Sequence, residues 1–159
     1  MTAWTEQWHH DIVDVARLPL PEELEHPTCM TGHLLPGIRR RVRQLTPRPT
    51  ARDCCDYHRQ DWALASETAI RLLARAKAEG IDGEPAGERV MELAKAEGIS
   101  KTDSDAVRCL VDTCDPLMLD DDGDIYAGRH RIQAMIDQGV RRTVLLRLVL
   151  LDPTTGLPA

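Results

Sequence analysis

The sequence predicts an α+β domain, because segments with helical spacing of apolar residues are followed by short, strongly apolar segments that are typical of strands. The clearest strand is residues 143–151, Thr-Val-Leu-Leu-Arg-Leu-Val-Leu-Leu, a nearly continuous apolar run. A strand of this kind needs cover on both faces, and the amphipathic segments 103–114 and 129–138 are the nearest cover along the chain. The length of 159 residues fits a single domain, 1–159.

The N-terminal part is predicted to contain the first strand and a long connector. Residues 11–18 show short apolar alternation and stop at Pro19, which predicts a strand. Residues 26–50 contain four prolines and two glycines, which predicts a loop-rich connector. Within and just after that connector, residues 39–52 contain six arginines and no acidic residue.

Four helices are predicted between the connector and the last strand, at 53–79, 88–97, 103–114 and 129–138. The first has an alanine-rich apolar stripe, which suits close packing on a neighbouring helix or on a second copy of the chain. The hexapeptide Ala-Lys-Ala-Glu-Gly-Ile occurs twice, at 76–81 and 94–99. We interpret each copy as a helix end, with glycine as the left-handed stop and isoleucine as the apolar contact after it.

A hairpin is predicted just before the last helix. Residues 117–119 and 124–127 are short runs separated by Asp-Asp-Asp-Gly, and an Asp-Gly pair between such runs favours a tight reversal. We expect both runs to form one small mixed sheet with residues 11–18 and 143–151. Asp124 is the acid nearest the following glycine and is therefore the candidate magnesium ligand, although a solvated turn without metal is the expectation.

The junction after the hairpin has the pattern of an anion site. Gly128 lies between a predicted strand and a predicted helix, where a glycine lets the backbone approach a ligand closely. The first helical turn presents unpaired N–H groups at the positive end of the helix dipole. Arg129, His130 and Arg131 occupy that turn, and cations there oppose the dipole unless an anion is bound. We therefore predict a phosphate at Gly128–Arg131, the alternative being a basic helix end that faces solvent.

The last third of the chain resembles the ParB/sulfiredoxin-like superfamily, also known from ParB-like nuclease domains, over about residues 100–150. Its members share a helix, a hairpin of the type P-I-x-V-D-x-D-G, a box of the type G-x-H-R-x-x-A or G-E-R-R-x-x-A, and a strand of the type G-x-x-x-V-P-V. This chain matches the box and the strand entry at Gly128, His130, Arg131, Ala134, Gly139 and Val144. The resemblance implies a ParB/sulfiredoxin-like core at 100–151 with a helical insertion at 53–98.

In that superfamily the box binds nucleotide phosphates, of ATP in sulfiredoxin and related kinases and of CTP in partition proteins. The resemblance therefore implies that Gly128, His130 and Arg131 bind the phosphates of a nucleotide. Arg129 stands where sulfiredoxin has its catalytic cysteine, so sulfiredoxin repair chemistry is not expected. Partition proteins have Glu-Arg-Arg in the box and continue into a helix-turn-helix domain, so partitioning in that form is not expected either.

Three classes of function stay open from the sequence. The first is a nucleotide-dependent phosphotransferase or a phosphoester hydrolase, with His130 and Asp124 as candidate catalytic residues. The second is a DNA-binding regulator that uses the basic residues Arg39, Arg40, Arg41 and Arg43 on backbone phosphates. The third is a non-catalytic interaction module, and a homodimer is compatible with all three.

Composition narrows these classes. The net charge of −6 disfavours a protein that coats nucleic acid through bulk charge. Five cysteines without framework spacing predict reduced thiols and hence a cytoplasmic protein, and no signal peptide or membrane segment is expected. The cluster Cys54-Cys55-x-x-His58 lacks the second half of a zinc motif, so we interpret it as free thiols rather than a metal site.

Overall fold

The computed structural model describes residues 4–21 and 55–152, and the predicted connector at 26–50 lies outside them. The described elements confirm the α+β class. In chain order they are β1 (Thr5–Asp14), a 3-10 turn (Val15–Arg17), α1 (Asp56–Arg59), α2 (Trp62–Ala78), α3 (Glu84–Ala96), α4 (Lys101–Val111), β2 (Met118–Leu119), β3 (Ile125–Ala127), α5 (Arg129–Gln138) and β4 (Arg142–Leu151).

The strands form two antiparallel pairs, which corrects the prediction of one mixed sheet. β1 pairs with β4 along its whole length, so that Thr5 lies opposite Leu151. β2 pairs with β3 as the predicted hairpin. The hairpin is joined to β4 by a backbone hydrogen bond in which Leu146 N–H donates to the Leu117 carbonyl over 2.8 Å. With only two residues, β2 is too short to extend this contact into a ladder, and the sheet divides there.

The first strand lies earlier in the chain than predicted. β1 covers 5–14, whereas residues 15–17 of the predicted strand 11–18 form the 3-10 turn. Its sequence, Thr-Glu-Gln-Trp-His-His-Asp-Ile-Val-Asp, is polar over most of its length, and nearly all of it is half-buried or exposed. Its strand conformation therefore comes from pairing with the apolar β4, which no local pattern in β1 shows.

The predicted helix 53–79 is two helices, and the break between them orients the first. Asp61 accepts a hydrogen bond from Leu64 N–H over 3.0 Å and so caps the N-terminus of α2. The N–H of Trp62 donates to the Gln138 side chain over 2.9 Å instead of to a preceding helical carbonyl. These two bonds define the start of α2 and separate it from α1, which lies against α5.

The remaining helices are confirmed, although α4 ends at Val111 and not at the predicted residue 114. Gly80 and Gly98 both adopt left-handed φ, at 78° and 73°. Ile81 and Ile99 each donate a backbone hydrogen bond to the helical carbonyl five residues earlier, as in a Schellman ending. α3 and α4 begin a few residues before their predicted starts, and α5 has its predicted bounds, 129–138.

α5 is the central helix of the described fold. All its residues from 131 to 138 are buried, although four of them are polar or charged. In β4, residues 143–146 are buried on both faces, as the apolar run predicts, whereas Leu150 near its end is 45% exposed. Burial of polar side chains favours hydrogen bonds within the protein, and the bonds of Arg131, Asp137 and Gln138 form the sites.

Candidate functional site

Gly128 is the junction between β3 and α5, as predicted. Its φ of 90° lies in the left-handed region, and its carbonyl accepts the first hydrogen bond of the helix from Ile132 N–H over 2.9 Å. A Cβ at this position would clash with the Leu117 side chain. The glycine is therefore required by its backbone conformation and by close packing, independently of any ligand.

Arg131 ties the first turn of α5 to the end of α4. Its side chain is 2% exposed, and its guanidinium donates to the carbonyls of Cys109, Asp115 (2.8 Å) and Pro116 (3.0 Å) and to the Asp115 carboxylate (3.0 Å). Cys109 is in the last turn of α4, where carbonyls lack helical partners and a cation is favourable. The arginine predicted to hold phosphate thus has protein oxygens around its guanidinium.

Arg129 and His130 face different surroundings in the same turn. Arg129 is exposed to solvent. The His130 ring is half-buried and stacks on Tyr57 of α1, with ring centroids 5.6 Å apart and planes 20° apart. The N–H groups of residues 129–131 occupy the positions that an α-helix leaves without an intrahelical acceptor.

The acidic turn before the junction is held together by its own first residue. The Asp120 N–H donates to the Asp124 carbonyl over 2.9 Å. The Asp120 carboxylate in turn accepts from the N–H groups of Asp122 (3.0 Å) and Asp124 (2.9 Å). Asp124 is exposed. Within residues 4–21 and 55–152, no three His, Cys, Asp or Glu side chains are grouped so as to hold a metal ion. Arg39, Arg40, Arg41 and Arg43 lie outside the described residues.

A second cluster, which the sequence did not predict, lies where α1 meets the second half of α5. The Cys55 Sγ lies 3.2 Å from His58 Nδ1, and His58 Nε2 lies 3.0 Å from Asp137 Oδ2. The side chains of His58 and Asp137 are almost fully buried, at 1% and 3% exposure, and Cys55 is half-buried. Three side chains of complementary chemistry are thus aligned in the order thiol, imidazole, carboxylate.

The electrostatics of this cluster favour a charged imidazole. The hydrogen bond to Asp137 is the main cause of a raised pKa of His58, burial opposes it, and the neighbouring Cys55 raises the pKa further. An ionised carboxylate only accepts hydrogen bonds, so Nε2 carries a proton and Nδ1 faces the sulfur. A protonated imidazole beside a thiol lowers the pKa of that thiol, because it stabilises the thiolate.

Two other cysteines lie in surroundings that favour the thiol form. Burial is the main cause of a raised pKa of Cys109. A hydrogen bond to Asp112 is the main cause of a raised pKa of Cys114, which is exposed on the surface. Both side chains are therefore protonated thiols at neutral pH.

Several contacts hold α1 against α5 and so fix the cluster. The Trp62 indole N–H donates to the Tyr57 carbonyl over 2.6 Å, and the Gln138 amide donates to the Gln60 carbonyl over 2.8 Å. The stack between Tyr57 and His130 adds a third contact, at the opposite end of α5 from Asp137. The only local signal of the cluster is the Cys55-x-x-His58 spacing, since Asp137 is 79 residues from His58 in the sequence.

Comparison of the chain with family models, with curated proteins and with solved structures finds no match. Assignment of function therefore depends on the two sites described above and on the motif resemblance. Among the described residues, no helix combines the length and apolar character needed to cross a bilayer.

Proposed function

We propose that the protein binds the phosphate of a nucleotide or another phosphoester at the first turn of α5. The observation that carries the proposal is the Gly128 junction, a left-handed glycine that begins a ten-residue helix with no acidic residue in its first turn. An anion there would accept from N–H groups without helical partners and would interact favourably with the helix dipole. The resemblance to the ParB/sulfiredoxin-like box supports the same ligand class.

Each side chain in this turn has a different role in the proposal, according to its surroundings. The backbone N–H groups of residues 129–131 and the exposed guanidinium of Arg129 are the phosphate donors. His130, held against Tyr57, flanks the ligand. Arg131 is a positioning residue in this proposal, because its bonds to Asp115 and Pro116 fix the turn on α4. ATP or CTP with magnesium is the expected ligand, and Asp124, the acid nearest to Gly128 in the sequence, is the candidate residue to hold the magnesium.

The binding experiment separates Arg129 from a matched arginine at the other end of the same helix. Isothermal calorimetry with ATP, CTP and GTP, with and without magnesium, is carried out on the wild type and on Arg129→Glu and Arg141→Glu. Arg141 is also exposed and follows the helix end, so it provides the control. We expect Arg129→Glu to lose at least about tenfold in affinity, since a charge-assisted hydrogen bond is worth about 1.5–3 kcal/mol.

Equal affinity of the two variants would show that the first turn of α5 is not the binding site. A thermal-shift panel with the same nucleotides and a short DNA duplex extends the test to the alternative function. Stabilisation by DNA alone would favour a regulator that uses Arg39, Arg40, Arg41 and Arg43. Absence of any shift would favour the interaction module.

A further inference from the structure

We propose that Cys55 is a nucleophilic thiolate, activated by His58 and Asp137, that reduces hydroperoxides and becomes a sulfenic acid. The proposal begins from the alignment of the three side chains, with successive distances of 3.2 Å and 3.0 Å. A nucleophile, a base within hydrogen-bond reach and a third group that orients the base are the parts of an activated nucleophile. This activity is independent of phosphate binding at the first turn of α5.

Proton positions follow from the chemistry of the three groups. Asp137 accepts at Oδ2, which keeps a proton on Nε2 and leaves Nδ1 to exchange a proton with the sulfur. Transfer of the thiol proton to Nδ1 creates an imidazolium between a carboxylate and a thiolate. Both neighbours are negative, which is the arrangement that stabilises a buried imidazolium best.

The cluster is rigid before any substrate arrives. Asp137 is on the central helix α5, and His58 is on a short helix that Trp62 and Gln138 tie to the same face. Such bonding holds the imidazole in one orientation towards the sulfur. Cys55 is half-buried and so accessible to a small electrophile, whereas the groups behind it are closed to water.

Within the described residues, the titratable groups next to the cluster on α1 and α5 have contacts of their own. On α1, Asp56 is paired with Arg59 over 3.3 Å and both are exposed. On α5, His130 is stacked on Tyr57. In the described part of the chain, the carboxylate bonded to the imidazole is therefore that of Asp137, and its charge is the one that the imidazole senses over the shortest distance.

The proposed step balances with the groups present. The Cys55 thiolate attacks one oxygen of a hydroperoxide, the S–O bond forms and the O–O bond breaks. The sulfur is oxidised to a sulfenic acid and the peroxide is reduced. The departing oxygen takes the proton from His58 Nδ1 and leaves as an alcohol, or as water when the substrate is hydrogen peroxide.

Hydroperoxides are the substrate class whose reduction requires the fewest catalytic groups besides those of this cluster. Their reduction requires a thiolate and a proton for the leaving oxygen, and Cys55 and His58 supply both. Acyl transfer would require, in addition, donors aimed at an oxyanion. The cluster itself contains no such donor, because the carboxylate and the sulfur are acceptors and the imidazole protons point at them.

The experiment measures thiolate character at each cysteine of the full chain. Iodoacetamide labelling over a pH series is followed by peptide mass spectrometry, with fragmentation to distinguish Cys55 from Cys54. At about pH 6 an ordinary thiol is less than about 1% ionised. We expect Cys55 to react at least about tenfold faster than the exposed Cys114 at that pH, and equal rates in the wild type would overturn the proposal.

Variants separate an activated thiol from one that is merely near a buried ion pair. Asp137→Asn should move the pH profile of Cys55 labelling upwards, and His58→Gln should reduce the Cys55 rate to that of Cys114. Asp56→Asn, on the same short helix, is the control and should leave the profile unchanged. A Cys55 profile that is the same in all three folded variants would show that the imidazole does not activate the thiol.

The substrate class has its own readout. Hydrogen peroxide followed by dimedone should label Cys55 as a sulfenic acid, with Cys114 unlabelled in the same sample. Fast alkylation of Cys55 without dimedone labelling would overturn the hydroperoxide assignment. Calorimetry with nucleotides is unaffected by either result, so failure here is distinguishable from failure of phosphate binding.

Discussion

The two ends of α5 differ in how their polar groups are satisfied. At the first turn, Gly128 and Arg131 have structural partners close in the chain, while Arg129 faces solvent. Near the last turn, Asp137 and Gln138 reach across to α1, whose residues are more than 70 positions away in the sequence. The first end is a local motif, for which we propose a phosphate ligand, and the second is a cluster of side chains that the tertiary structure brings together.

Neighbouring residues of one sequence motif thus have different structural surroundings: Arg131 is bonded within the protein and Arg129 is exposed. Arg131 belongs to the box that resembles a nucleotide-binding motif, yet in the structure it caps α4. The bonds of Arg131 explain why an arginine suits this position even in a protein without nucleotide. The chemistry of Cys55 and His58 has no comparable motif, and it becomes visible only when α5 supplies the carboxylate.

The largest expected effect separates Arg131 from its neighbour Arg129. Arg131→Met should lower the free energy of unfolding by about 3 kcal/mol, since it leaves three carbonyls without their donor at about 1–3 kcal/mol each. Arg129→Met should change it by less than about 0.5 kcal/mol, because the side chain is exposed. Urea unfolding of both variants measures the difference, and similar losses would contradict the structural role of Arg131.

A smaller effect is expected at the other end of the helix and depends on pH. The folded-state pKa of His58 is raised above its unfolded value, chiefly by Asp137. The stabilisation is therefore fully present below about pH 6.5, the unfolded value, and is lost as the pH rises through the folded pKa. At low pH, His58→Gln should cost about 1.5–3 kcal/mol, the range for a hydrogen bond to a charged group.

The pH series compares the wild type with His58→Gln by urea unfolding at each pH. The gap between the two proteins should narrow as the pH rises from about 6.5. A gap that widens with pH would mean that the imidazole is neutral in the folded protein. That result would contradict a charged imidazole of His58 paired with the Asp137 carboxylate.

The smallest expected effect concerns the stack of Tyr57, on α1, against His130, in the first turn of α5. Tyr57→Leu removes the stack on His130 and should lower the free energy of unfolding by about 0.5–1.5 kcal/mol. Tyr126→Leu is the matched control, because Tyr126 is 70% exposed and such positions change stability by less than about 0.5 kcal/mol. Thermal unfolding of both variants measures the contrast. Equal melting temperatures would show that the stack between Tyr57 and His130 does not stabilise the protein.

Elements whose signals lie within a few residues of one another could be predicted from the amino-acid sequence. The apolar run of β4, the glycine ends of α2, α3 and α5, the hairpin and the Gly128 junction all follow from residues within a few positions of each other. Helix stops and tight turns are set by backbone conformations that glycine allows and by hydrogen bonds across four or five residues. Patterns over such short distances are visible in one chain without its fold.

The sheet topology, the break before α2 and the cluster of Cys55, His58 and Asp137 depend on contacts between distant parts of the chain, and no local pattern predicted them. β1 is a polar strand that pairs with β4 along its whole length, and the N–H of Trp62, the first residue of α2, donates to the Gln138 side chain. Asp137 likewise bonds His58, and so completes the cluster with Cys55, across 79 positions of the sequence. Long-range pairing is the common cause, since a polar side chain buried on a central helix must find a partner wherever the fold brings one.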